Sequence, residues 1–164
     1  MQLLASEEYG LRCLLRVAAG DDGAPVSISQ IAQAEGLSPE YTAKLMRELR
    51  LGELVNSVRG SEGGYRMAKP PAQVSVWRAL QVLGGEFFPE SFCECHGGQQ
   101  RQCVRAGDCS IRALWRTVKT ALRETLEGIT LEDLCRDERA MGAWLDPVTL
   151  SPTRAKGAKE LETT

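Results

Sequence analysis

Between Leu3 and Ala19 apolar residues recur at near-helical spacing, with Leu4, Leu11, Leu15 and Ala18 on one side, and "AGDDGAP" ends the run. Glu8 interrupts this stripe, four residues after Leu4 and three before Leu11. A carboxylate there reads either as an ion pair with Arg12 at i+4 on a partly wet face, or as a group held inward because it ligates something. In "VSISQIAQAEG", Ser27 and Gln30 make a capping box before a short helix carrying Ile31 and Ala32, which Gly36 stops. "LSPEYTAKLMRELRLGEL" begins the next helix with Ser38 as N-cap and Pro39 at the first helical position, and predicts Tyr41, Leu45 and Leu49 as its buried face. Two short helices across a glycine-containing turn predict a helix-turn-helix.

The period then changes. "LVNSVRGSEGGYRMA" alternates as a strand from Leu54 to Val58, turns through "RGSEGG" and returns from Tyr65 to Ala68, a hairpin with Arg59 and Arg66 flanking its tip. "KPPAQV" is expected to be an extended spacer, because two prolines oppose helix. Ser75 can cap a helix through Trp77, Leu80 and Leu83 that ends at Gly84 and Gly85. Ile111, Leu114, Trp115, Val118, Leu122 and Leu126 give a long amphipathic helix closed by Gly128. "TLEDL" predicts one more short helix, leading to Cys135.

The expected architecture is mainly α: a winged helix-turn-helix with a small β-hairpin wing plus a long dimerisation helix. Residues 1–70 are expected to form the winged helix-turn-helix domain, and residues 71–135 a cysteine-bearing loop (92–110) with the long helix (110–127). Residues 136–164 are expected to be a disordered tail, since from Asp146 onward large apolar residues are few. Little chain remains to cover the long helix, so its stripe points to a second copy of the chain. A single-chain bundle is the alternative.

Composition alters this picture in two places. The formal charge is −2, and residues 1–69 hold eight Lys and Arg against nine Asp and Glu, so no overall basic excess marks a polyanion binder. Positive charge is local instead: Ala43, Lys44, Arg47 and Arg50 face away from the apolar stripe of their helix, and the wing carries arginines. A reading helix in the major groove with a wing at the phosphates or minor groove fits this placement; a plain solvated face, or a protein-interaction module, is the alternative. No basic leader or membrane-length apolar run is seen, which points to a cytoplasmic protein with no membrane association.

The second place is "FCECHGGQQRQCVRAGDCSIR", which holds Cys93, Cys95, Cys103 and Cys109, four of the six cysteines. Disulfides, zinc and an iron-sulfur cluster are the three possibilities. A reducing cytoplasm disfavours disulfides, and zinc favours paired short spacings, whereas here no CxxC doublet occurs. Thiolates are strong soft ligands for iron-sulfur units, so a loop supplying several could wrap one cluster. No carboxylate pair, Ser-His arrangement or phosphate loop supports an enzyme.

"EEYGLRCLLRVA", "SISQIAQAEGLSPEYTAKLMREL", "LVNSVRGSEGGYRMAKPP" and the pattern Cys95, Cys103, Cys109 together resemble the Rrf2 family of bacterial transcription regulators, over about residues 1 to 135. The resemblance implies a homodimer whose winged helix-turn-helix binds double-stranded promoter DNA, with an iron-sulfur cluster in the loop before the dimer helix. It implies Cys95, Cys103 and Cys109 as ligands, with Cys93 spare or an alternative to Cys95. One branch of the family has a histidine three residues after the last cysteine, where this chain has Arg112; His96 directly follows Cys95 and is constrained. In another branch a carboxylate near position eight, from the other protomer, completes the site, and here that residue is Glu8. Three thiolates and a labile oxygen ligand favour a 4Fe-4S cluster, with 2Fe-2S the other form. On the DNA side Ser38 and Tyr41 are expected at phosphates and Ala43, Lys44 and Arg47 at base edges, with Arg59 and Gly60 at the wing. One branch carries a glutamate where this chain has Ala43, so its DNA site does not transfer. The implied signal is iron or cluster status, redox stress or nitric oxide; the alternative is a cluster-free regulator sensing oxidation of Cys93 and Cys95 or of Cys103 and Cys109.

Overall fold

The computed structural model describes residues 4–20, 23–60, 63–85, 87–99 and 102–145. Helix α1 (Ala5–Ala18) starts where the Glu7 carboxylate accepts a hydrogen bond from the Leu4 N–H at 2.7 Å, satisfying a donor that the helix start leaves open. Its buried face is Gly10, Cys13, Leu14 and Val17, not the stripe expected from Leu4, Leu11, Leu15 and Ala18. Leu4 is 49% exposed, while Leu11 and Leu15 are half-buried at the margin of the core. The reason is close helix packing: a Cβ on Gly10 would overlap the Leu83 side chain, so the small residue forms a notch that hydrophobic spacing does not reveal.

Helix α2 (Ile28–Glu35) carries the expected capping box, with Ser27 Oγ accepting from Gln30 N and Gln30 Oε1 accepting from Ser27 N at 2.8 Å. Gly36 ends it at φ +66°, a left-handed turn that favours glycine. Ser38 then caps α3 (Pro39–Leu51) by accepting from Tyr41 N at 3.2 Å. The core side of α3 is Thr42, Leu45, Met46 and Leu49; Tyr41 is only half-buried, its ring edge-on to Tyr9 at 6.1 Å. Met46 and Thr42 are fully buried, while Tyr41 packs against the core from its rim.

Strands β1 (Val55–Val58) and β2 (Gly64–Met67) pair antiparallel, Val55 opposite Met67 and Val58 opposite Gly64. Val26, in the connection before α2, adds a short third rung by exchanging main-chain hydrogen bonds with Tyr65 at 2.8 and 2.9 Å. Gly64 permits this, because a Cβ there would stand 2.5 Å from the Val26 carbonyl oxygen. The hairpin is therefore anchored to the front of the helix-turn-helix.

"KPPAQV" is not fully extended: Pro71–Gln73 makes one 3-10 turn. Pro71 sits at the turn's first position, where its missing N–H leaves no bond unmade. Helix α4 (Val76–Gly84) follows, with Ser75 Oγ accepting from Arg78 N, and packs its Val82 against Gly52, where a Cβ would overlap it. The chain continues through a single helical turn, α5 (Phe92–Cys95), and the long α6 (Ser110–Glu127), then returns. Val76 N donates to Ile129 O at 2.8 Å and Leu131 N to Val74 O at 2.9 Å, placing α7 (Leu131–Leu134) beside the exit point. Leu131 is fully buried in one core with Cys13, Leu14, Ile31, Leu49 and Ala79.

Residues 138–145 form α8 (Glu138–Leu145) where a disordered tail was expected. Asp137 Oδ1 accepts from Ala140 N at 2.8 Å, and Arg136 lies over the Trp144 ring at 5.4 Å, so a cap and an aromatic anchor offset the sparse apolar content. The remainder of that expected tail, 146–164, lies outside the described residues. Among the described residues no helix is long and apolar enough to cross a membrane.

Candidate functional site

The outer face of α3 presents Ser38, Lys44 and Arg47 to solvent, with Ala43 half-buried between them and the core side. Arg47 meets Glu48 at 3.6 Å with both side chains largely exposed, a contact too long and too wet to hold the guanidinium against a phosphate or base. Arg59 is the first residue past β1, is exposed, and makes no ion pair or side-chain hydrogen bond with the described residues. Gly60 follows at φ +120° and its carbonyl accepts from Gly63 N at 3.0 Å. This tight turn, open to glycine but strained for other residues, projects Arg59 from the hairpin end. Residues 61 and 62 of the expected turn lie outside the described residues. Among the described residues these candidates lie on two elements, the outer face of α3 and the end of the hairpin, with Lys44, Arg47 and Arg59 exposed.

All six cysteines are free thiols; Cys93, Cys103 and Cys109 are half-buried and Cys95 is exposed. Cys93 and Cys95, two apart on α5, point to different sides of that turn. Cys109 is the N-cap of α6, its sulfur accepting from Arg112 N at 3.4 Å. Arg112 also donates from Nη1 to Ala106 O at 3.0 Å, closing the end of the loop. His96 stacks on Phe92 with centroids 4.0 Å apart and its Nδ1 lies 2.8 Å from Phe92 O, so packing and a hydrogen bond already occupy it.

Among the described residues no three His, Cys, Asp or Glu side chains converge to hold a metal, so Cys95, Cys103 and Cys109 are not assembled within one chain. A polar loop with few buried contacts has little to pull its sulfurs together unless a bound group supplies the bonds. The donor set itself fits an iron-sulfur unit: three unpaired, accessible soft ligands in one short segment.

Glu8 is exposed on α1, and the expected i+4 ion pair with Arg12 does not form. Arg12 instead reaches α2, donating from Nε to Glu35 Oε2 at 2.9 Å and from Nη2 to Glu35 O at 3.0 Å. A fork that satisfies both a carboxylate and an open helix-end carbonyl outcompetes a single exposed i+4 contact. Glu8 makes no side-chain hydrogen bond or ion pair with the described residues, although its charge still acts on the Arg12 guanidinium. Spacing could not have shown the Arg12–Glu35 pair, because its members lie 23 residues apart.

No residue of α6 is buried: Ile111, Leu114 and Trp115 are 54%, 55% and 40% exposed, although Phe87 meets Trp115 edge-on at 6.3 Å. Elsewhere, burial pushes the Cys13 thiol up to about 11, with the Glu35 charge adding to the effect, and burial followed by Glu132 raises that of Cys135. Neither belongs to the loop.

Comparison with known proteins agrees with this arrangement. A model of the Rrf2 family, described as an iron-dependent transcriptional regulator, matches residues 4–137. The protein named rrf2 of Nitratidesulfovibrio vulgaris is 34% identical over 137 residues, covering 84% of this chain and 89% of that protein. The HTH-type transcriptional regulator IscR of Cronobacter sakazakii is 30% identical over 141 residues, covering 86% of this chain and 84% of that one. Among solved structures, CymR, the global cysteine regulator of B. subtilis, superposes with a TM-score of 0.66 at 29% identity over 82% of this chain and 96% of its own. With a winged helix-turn-helix of mainly α architecture and relatives that regulate transcription, the chain belongs to the Rrf2 family of DNA-binding transcriptional regulators and is not an enzyme.

Proposed function

We propose that this chain is an iron-sulfur-cluster-dependent transcriptional regulator that acts as a cytoplasmic homodimer on double-stranded promoter DNA. The observation that carries this reading is a loop of four free thiols, Cys95, Cys103 and Cys109 among them, that runs directly into α6, with Cys109 as the helix cap, while Ile111, Leu114 and Trp115 of α6 are exposed. Cys95, Cys103 and Cys109 would hold the cluster, with Cys93 as the alternative to Cys95 and Glu8 of the other protomer as fourth ligand. When bound, a 4Fe-4S cluster, or a 2Fe-2S one, supplies a centre that responds to iron supply, oxidants or nitric oxide.

The residues of the chain do the rest. Ile111, Leu114 and Trp115 pack against a second copy, which sets the distance between the two α3 helices and hence the half-site spacing that can be read. Ser38 and Tyr41 hold phosphates at the N-terminal end of α3, Ala43, Lys44 and Arg47 face base edges, and Arg59 with Gly60 enters the minor groove. Because Cys109 caps α6, a change in its bonding alters the start of that helix and so the population of dimer geometries.

A second reading rests on a specific observation: the thiols are all free and do not converge within one chain. Oxidation of Cys93 with Cys95, or of Cys103 with Cys109, would then be the signal without a cluster. Native mass spectrometry and promoter titration of anaerobically purified protein decide between them. The first reading expects an iron- and sulfide-bearing dimer whose affinity at fixed salt differs from that of the apoprotein. Equal affinities remove the switch. A colourless, iron-free dimer whose affinity changes on thiol oxidation supports the second.

A further inference from the structure

Arg12 lies one helical turn beyond Glu8 and belongs neither to the thiol loop nor to the DNA-facing surface. Its guanidinium holds the last residue of α2 twice, through the 2.9 Å and 3.0 Å bonds to the Glu35 carboxylate and main-chain oxygen. Glu35 directly precedes Gly36, whose left-handed conformation makes the turn into α3. The same guanidinium lies over the Tyr9 ring, 5.5 Å from its centroid, and Tyr9 meets Tyr41 in the first turn of α3. Glu8, Tyr9 and Arg12 therefore place three consecutive functions within little more than one turn of α1: a free carboxylate, a ring against α3 and a fork on α2.

We infer that Arg12 is a positioning residue that couples the Glu8 end of α1 to the angle between α2 and α3. The inference rests on the proposed function, in which Glu8 joins a site on the other protomer. The neighbouring core contacts of Cys13, Leu14 and Val17 are apolar and carry no directional bond to α2. Hydrogen bonds from a planar fork are directional and fix where the end of α2 sits relative to α1. A displacement of α1 at Glu8 is then carried to both sides of the Gly36 turn, at Glu35 and at Tyr41, and re-aims α3. A lysine at position 12 keeps the charge but offers one nitrogen, which cannot reproduce both bonds in the fork geometry.

The test compares promoter affinity of the anaerobic cluster-loaded dimer with that of its apoprotein, at one salt concentration, for the native chain and Arg12→Lys. Iron, sulfide and the visible spectrum are followed in parallel. The expected result is native cluster content with an affinity ratio that collapses towards one. A ratio equal to the native one overturns the inference, as does an equal loss of affinity in both states, since a merely structural role moves both together. Should Arg12→Lys fail to fold, Glu35→Gln weakens the same clamp while sparing its main-chain half; a smaller fall in the ratio is expected, and an unchanged ratio overturns the coupling. If the native chain itself shows a ratio of one, the proposed function fails, and the coupling with it; a native ratio away from one that survives both substitutions refutes the coupling alone.

Discussion

Arg59→Ala isolates the contribution of the wing to DNA binding without touching the fold. Arg59 is exposed at the end of β1, and its guanidinium has no partner among the described residues, so its removal leaves every described internal contact in place. Losing a base-edge contact costs roughly 1 to 3 kcal/mol, or about 5- to 150-fold in affinity at ~1.4 kcal/mol per decade. A symmetric dimer loses the contact twice, so the measured effect should lie in the upper part of that range or beyond it. The assay is fluorescence anisotropy with a promoter duplex over a series of salt concentrations, beside a thermal melt of the free protein. Affinity should fall while the melting temperature stays unchanged, and each lost phosphate contact should flatten the salt dependence by about one unit of slope. An Arg59→Ala protein with native affinity would refute the docking of the wing. A large drop in melting temperature would show instead that Arg59 supports the fold, contrary to its exposed and unpaired position.

Leu131→Ala should destabilise the whole winged domain by about 2–5 kcal/mol in urea titrations, because the fully buried side chain joins the returning chain to the core of α1 and α3. A loss well under ~1 kcal/mol would mean that α7 is an appendage. Thr42 is fully buried and its Oγ1 has no hydrogen-bond partner among the described residues, so the near-isosteric Thr42→Val should raise stability by about 1 kcal/mol, and a loss of stability would reveal a hidden partner. The raised thiol of Cys13 carries a sign: the folded state favours the neutral form, so its contribution is complete below the ordinary value of 9.0 and is lost as pH rises through about 11. Unfolding free energies measured from pH 8 to 11 should decline over that window in the native chain and less in Cys13→Ala, and iodoacetamide at pH 8 should leave Cys13 unmodified while Cys95 reacts. Parallel pH profiles for the two proteins would refute this.

Local chemistry determined much of this protein from sequence alone. Capping residues, helix-stopping glycines and period-2 alternation act within a few residues, so the capping box at Ser27, the N-cap at Ser38, the Gly36 turn and the hairpin around Arg59 stand where the sequence places them. The charged face of α3 and the apolar stripe of α6 follow from helical periodicity in the same way, whereas the exposure of Ile111, Leu114 and Trp115 is a tertiary outcome. Tertiary structure decided what depends on who packs against whom. It turned α1 so that Gly10 and Cys13 face inward and Leu4 outward, because α4 needs a notch and not a bulky side chain. It gave Arg12 to Glu35 and left Glu8 unpaired, since hydrogen-bond partners compete by geometry across the fold and not by distance along the chain. It threaded Leu131 into the core of the N-terminal helices and left the loop thiols apart, because apolar burial draws distant segments together whereas a polar loop closes only around what it binds.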